Sequence, residues 1–224
     1  MLILVSVFSA HTQETEENTL GSWHLFSTTA RISNHLSIQA ATQIKYYRQL
    51  KNYNQFSLHG SINYHLKSNI MATLGYGFFV NDTTFESLSE ENHRKDHKIE
   101  EIITIKTTTG KLKWEHRLKL EQRFIGNEDS YELLHRVRYR LQMLLPLSKI
   151  FYLSVNDELF FDLQEEFFGK NRIYGALGIH VAKHLNLQAG YFRTYADHSH
   201  LDRLKIAVFY NSDLRKKRDN MAYR

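Results

Sequence analysis

The chain predicts an all-β protein: a transmembrane, antiparallel, up-and-down β-barrel of ten or twelve strands, apolar outside and charged in the lumen. Three observations lead there. The hairpin from Leu112 to Leu145 alternates with a period of two, which is strand spacing. Leu112, Trp114, Leu118, Leu120 and Phe124 share one parity of its first arm, and charged residues fill the other. Leu133, Val137, Tyr139, Leu141 and Met143 oppose Glu132, Arg136, Arg138, Arg140 and Gln142 in its second arm. Strands of this kind then recur down the chain, and no helical pattern is present to cover their apolar face. A closed barrel turned inside out is the economical solution.

Composition sets the limits. The 224 residues, 42% hydrophobic and 13% aromatic, suit one barrel, and a single proline with ten glycines gives no interdomain linker. A mean hydropathy of -0.47 is compatible with a barrel whose strands are half polar. No run of about 20 apolar residues exists to form a spanning helix. The absence of cysteine excludes disulfides and thiolate chemistry. The net charge of +5 comes from basic residues interleaved with apolar ones, without the surface runs that bind nucleic acid.

In chain order, residues 1–13 read as a truncated signal peptide, with LILVSVF as the apolar core and Ser9-Ala10 as small residues near a cleavage point. Residues 14–20 form an acidic linker, 21–212 the barrel and 213–224 a basic C-terminal tail. The first strand, within Gly21 to Arg31, is weak. Leu36, Ile38, Ala40 and Ile44 alternate with Ser37, Gln39, Gln43 and Lys45, and a polar loop spans Arg48 to Asn54. Phe56, Leu58, Ile62 and Tyr64 face out from the next strand, with His59, Ser61, Asn63 and His65 inward. Gly75 and Gly77 share the lumen parity of Ile70 to Val80, leaving room for bulky neighbours. Gly110-Lys111 makes a glycine-first hairpin turn into the central hairpin.

Further strands follow over Phe151–Asp162, Arg172–Val181, Leu185–Thr194 and Leu204–Asn211. That totals about eleven segments, and single-chain bacterial barrels usually close with an even number. The first strand and Phe85 to Lys98 are the segments in question. Tight turns near Ser33, Ser68, Gly110, Leu147 and Lys183 alternate with longer connections near Lys51, Ser87, Asn127, Glu166 and Asp197, the short-turn, long-loop pattern of outer-membrane barrels. Tyr46, Tyr47, Trp23, Phe78, Phe79, Phe124 and Phe151 lie at strand ends, where an interfacial girdle belongs.

The stretches WEHRLKLEQRF (Trp114 to Phe124), HRVRYRLQMLLPL (His135 to Leu147), VNDELFF (Val155 to Phe161), KNRIYGALG (Lys170 to Gly178) and LNLQAGYFR (Leu185 to Arg193) together resemble the bacterial domain of unknown function 2490. The resemblance covers about Leu20 to Asn211. It implies an outer-membrane barrel and carries no assigned activity.

The expected lumen charge network is Lys113, Glu115, Arg117, Lys119, Glu121, Arg123, Glu132, Arg136, Arg138, Arg140 and Glu158. Folding the hairpin symmetrically about its loop sets Arg123 opposite Glu132, Glu115 opposite Arg140, Arg117 opposite Arg138 and Lys119 opposite Arg136. The like-charged pairs then need Glu121, Glu158 or Asp162. His59-Gly60-Ser61 has the His-x-Ser spacing of outer-membrane lipid hydrolases, but on the lumen parity, away from lipid. Asp197, His198, His200 and Asp202 read as a solvated loop with no fixed metal set. Asp157 breaks the outward apolar pattern, and a bulge is the first explanation.

The expectation is a non-enzymatic barrel in the outer membrane of a Gram-negative bacterium. It would be either structural or a narrow small-solute pore with an Arg/Glu-lined lumen. Its partners would be lipid, lipopolysaccharide, the barrel-assembly machinery and a small anionic solute, with no nucleic acid, metal or cofactor. The alternatives are an outer-membrane lipid-modifying enzyme and a soluble lipocalin-like binder.

Overall fold

The structure, a computed structural model, describes residues 19–82, 93–126, 130–164, 169–196 and 199–215. The expected signal peptide, most of the acidic linker and the basic tail, Phe167, Phe168, Asp197 and His198 lie outside these residues. Eleven strands follow in order: β1 (Leu20–Arg31), β2 (Leu36–Arg48), β3 (Lys51–Lys67), β4 (Ile70–Asp82), β5 (His93–Thr109), β6 (Leu112–Gly126), β7 (Tyr131–Pro146), β8 (Phe151–Asp162), β9 (Lys170–Ala182), β10 (Leu185–Ala196) and β11 (Ser199–Asp213). Consecutive strands pair antiparallel, and the sheet closes where β1 meets β11.

The count of 11 corrects the expected ten or twelve. The first questioned segment is strand β1, and of Phe85 to Lys98 the described end, residues 93–98, opens β5 while the rest lies outside the described residues. In an up-and-down ring, directions alternate, so an odd number leaves the first and last strands pointing the same way. They close as a parallel pair, whose slanted ladder is only slightly less stable per residue. That pair runs without a break from Leu20 beside Asp202 to Arg31 beside Asp213. β1 therefore starts at the rim bearing the 83–92 and 163–169 connections, and β11 ends at the opposite rim.

Strand alternation sorts the side chains into two surfaces. Phe26, Ile38, Ile62, Leu74, Leu118, Leu177 and Ile206 are exposed on the outside, while Ser57, Asn63, Glu121, Ser154 and Glu158 are buried. This inverts the usual arrangement, in which apolar side chains are buried. The enclosed apolar cluster is small, with Tyr174, Ala176 and Phe192 packed by Trp23.

Turn chemistry follows the sequence closely at Gly110, whose φ of +60° suits the first position of a two-residue hairpin turn. The polar loop expected over Arg48 to Asn54 is instead a two-residue turn, Gln49-Leu50, because β2 and β3 extend to meet at Arg48 and Lys51. Leu50 and Asn52 adopt positive φ there, at 56° and 52°, and the register shifts after Lys45. Local polarity concealed a strand end stabilised by its neighbours. Near the longer connection expected at Asp197, β10 and β11 pair as far as Ala196 beside Ser199.

Three more expectations are corrected. The central hairpin pairs two residues out of the symmetric register: Lys119 lies opposite Arg138, Arg117 opposite Arg140, Glu121 opposite Arg136 and Glu115 opposite Gln142. A slip of two preserves every side chain's face while changing its partner, so alternation alone could not reveal it. Trp23 and Phe79 face the interior and Tyr47 is buried, leaving Tyr46, Phe78, Phe124 and Phe151 from the expected girdle. No bulge redirects Asp157, because β8 pairs in unbroken register on both edges. Its exposed carboxylate accepts a hydrogen bond from Asn171 on β9.

Gly178 shows how the interior is fitted. A Cβ there would lie 2.1 Å from Cζ of Tyr152, whose ring is buried and whose hydroxyl accepts a hydrogen bond from Gln188. The Gly178→Ala variant is expected to lose about 1–3 kcal/mol of unfolding free energy, from displacement of that ring, as measured by urea titration of the folded protein.

Candidate functional site: a charged cavity inside the barrel

The barrel encloses a cavity of about 1000 Å³ lined by side chains from all eleven strands. Its cationic lining is Lys45, Lys98, Lys106, Arg117, Lys119, Arg123, Arg136, Arg138, Arg140, Lys170, Arg172 and Lys205. Its carboxylates are Asp96, Glu100, Glu115, Glu121 and Glu158. Among the described residues, positive charge thus outweighs negative by more than two to one.

The carboxylates concentrate on β5, β6 and β8, where they separate like charges. Glu158 accepts from Arg117 Nη2 at 2.6 Å and Arg138 Nη2 at 2.7 Å, with Arg172 at 3.9 Å. Glu121, fully buried, accepts from Arg138 Nη1 at 2.8 Å and Lys98 Nζ at 3.5 Å, and Lys119 lies 3.8 Å away. Glu100 accepts from Lys119 Nζ at 2.9 Å. Glu115 takes Arg140, and Arg136 takes Asp162 on β8. Each carboxylate relieves cross-strand repulsion that the register creates, such as Lys119 against Arg138. Buried charges are stable when paired and hydrogen-bonded in this way.

The wall formed by β1, β9 and β10 is aromatic. Trp23 on β1 packs edge-to-face on Phe192 of β10 with centroids 4.4 Å apart, and Tyr174 on β9 meets Phe192 at 6.5 Å. Lys45 Nζ stands 4.2 Å from the Trp23 centroid, and Lys205 Nζ is 5.2 Å from that of Tyr174. The Arg172 guanidinium lies 4.8 Å from Trp23 and 5.0 Å from both Phe160 and Phe192. Ring faces attract these cations through their quadrupoles. They leave the net charge unbalanced.

Of the expected network, Glu115, Arg117, Lys119, Glu121, Arg123, Arg136, Arg138, Arg140 and Glu158 line the cavity. Lys113 and Glu132 do not. They are exposed near strand ends, because alternation specifies a face but not depth along the barrel. Sequence reasoning left out Lys98 and Glu100 of β5, and Lys45, Lys170, Arg172, Lys205 and Trp23. Lys205 carried a readable signal, a lone cation on the inward parity of the otherwise apolar LKIAVFY. The role of Arg172 depends on rings from three other strands and had no local signature.

His59 does not hydrogen-bond to Ser61. Its Nε2 meets Ser57 Oγ at 3.2 Å, and Ser57 is completely buried. Gly77 makes room for this arrangement, since a Cβ there would approach the Phe79 ring at 2.8 Å and His59 Nδ1 at 3.1 Å. No group of three metal-ligating side chains occurs among the described residues. Asp202 is instead engaged by Arg193 at 2.7 Å and by the Tyr191 hydroxyl.

A closed barrel with this interior spans the region matched by one family model, which covers residues 20–205. The chain belongs to the DUF2490 family of proteins of unknown function. No curated protein and no solved structure matches it. The DUF2490 match takes in every strand except the end of β11, so the cation-rich and carboxylate-rich sides of the cavity both fall within the family's own domain.

Proposed function

We propose that this DUF2490 protein is a non-enzymatic transmembrane barrel of the outer membrane of a Gram-negative bacterium, with a narrow, anion-preferring interior. The observation that carries this reading is the inversion of the two surfaces. Large apolar side chains stand exposed around the outside, among them Leu58 on β3, Leu74 on β4, Leu118 on β6 and Ile173 on β9. Lysine, arginine and glutamate fill the inside. In water the exterior would be a broad, predominantly apolar surface interrupted by few charges such as Glu101 and Asp157, and large apolar patches are covered by a partner or by lipid. A barrel satisfies its backbone hydrogen bonds internally, as a membrane demands. Lipid, lipopolysaccharide and the barrel-assembly machinery are the partners this reading requires.

A soluble lipocalin-like binder would place Leu118 inside and Arg138 outside, opposite to what is observed. A lipid-modifying enzyme would need a catalytic pair facing lipid, whereas His59 and Ser61 line the cavity. Inside, Arg172 on β9 reaches the Trp23 ring on β1 across two intervening strands and occupies part of the interior.

The test is folding into lipid bilayers, read as a heat-modifiable gel shift, followed by planar-bilayer recording. Insertion with small, anion-selective conductance is expected. A chain that remains soluble and monomeric without detergent overturns the reading.

A further inference from the structure

We propose that the aromatic side of the cavity, formed by β1, β2, β9, β10 and β11, binds a small multivalent oxyanion, of the phosphate or polycarboxylate class. This extends the general anion preference argued above to a particular set of side chains and a particular ligand charge.

The cavity divides into a balanced side and an unbalanced one. Around Glu100, Glu121 and Glu158, each carboxylate serves two or more cations. Lys45, Lys170 and Lys205 form no salt bridge among the described residues; each stands over an aromatic ring instead, Trp23, Phe160 and Tyr174. Arg172 joins them, since its guanidinium touches both Trp23 and Phe160, while its contact with Glu158 is long at 3.9 Å. Ring quadrupoles hold a cation without neutralising it.

Several like charges facing one small volume repel strongly in a low-dielectric setting. An anion is the chemistry that relieves this. A monovalent ion would neutralise one of the four, so the favoured ligand carries two or more negative charges on a compact body. The cations at the ring faces offer only N–H donors, which selects for a ligand with oxygen acceptors.

The test uses the full chain folded in zwitterionic detergent, in a Trp114→Phe background that leaves Trp23 as the sole tryptophan. Phosphate, pyrophosphate and citrate are titrated against chloride and acetate at constant ionic strength. Trp23 emission and the unfolding temperature are the readouts. Saturable emission changes and a raised unfolding temperature are expected with the multivalent anions and not with chloride or acetate. A response to the phosphates alone assigns a phosphoryl ligand, to citrate alone a polycarboxylate, and to both a site that reads charge.

Lys45→Met and Lys205→Met are each expected to weaken binding by at least about tenfold. Both should raise the unfolding temperature of the ligand-free protein, because each removes a repelling cation and orphans no carboxylate. Equal responses to all salts, or unchanged affinity in both variants, overturn the proposal. The titration reads binding by the folded barrel whatever surrounds it, so its failure is separable from failure to insert into a bilayer.

Discussion

Replacing Glu121 with glutamine is expected to remove about 3–5 kcal/mol of stability, the usual consequence of breaking a buried ion-pair cluster from one side. The substitution keeps the side chain's size and removes only its charge. Glu121 is completely inaccessible and faces Lys98, Lys119 and Arg138, with its Oε1 between 2.8 and 3.8 Å from all three. Without it, Lys119 and Arg138 stand directly opposite each other across β6 and β7. Glu100 and Glu158 remain to serve them from one side each. Urea unfolding monitored by tryptophan fluorescence measures the loss. Glu132→Gln and Lys113→Gln are the matched controls, and since both residues are exposed near strand ends, changes within about 0.5 kcal/mol are expected. Equal losses at Glu121 and Glu132 would show that the buried network does not stabilise the barrel.

The Leu118→Arg variant is expected to lose about 2–4 kcal/mol when the barrel is folded in a bilayer. Leu118 lies near the middle of β6, faces outward and is 52% exposed. In water, an arginine at so exposed a site changes stability by about 0.5 kcal/mol or less. In lipid it must be dehydrated or reach an interface that is far from the strand's centre. The size of the loss therefore reports the solvent around the outer face. Glu101 supplies the opposite sign. It is the central residue of β5, exposed on the same face and hydrogen-bonded by Gln122 at 3.3 Å. Glu101→Leu should stabilise the barrel in bilayers by less than the Leu118→Arg loss, since lipid-facing acids are tolerated better than lysine or arginine. Unfolding titrations in lipid vesicles check both, and a Leu118→Arg loss under about 0.5 kcal/mol would place the exterior in water.

The strand class and the facing of nearly every strand were legible in the sequence, because side chains alternate with a period of two whatever the neighbours do. Arg117, Arg138 and Glu158 could be read as sharing one surface for that reason, and Leu118 and Val137 as sharing the other. Gly110 announced its turn because a positive φ is easy for glycine and strained for other residues. The tail of β2 and head of β3 were misread, since RQLKNYN has no alternation to show and its strand character comes from pairing.

What the sequence by itself determined is an inside-out, all-β chain with charge on the surface that became the interior. Only the tertiary structure decided the strand number, the hairpin register and which cations share a carboxylate. Closure depends on how strands 1 and 11 meet, and pairing depends on slips of two that leave every face unchanged. The aromatic site needed closure most of all. Trp23, Lys45, Arg172 and Lys205 lie far apart in the chain, on four strands that come together only when the ring is complete. Long-range geometry of that kind leaves no local periodicity to read.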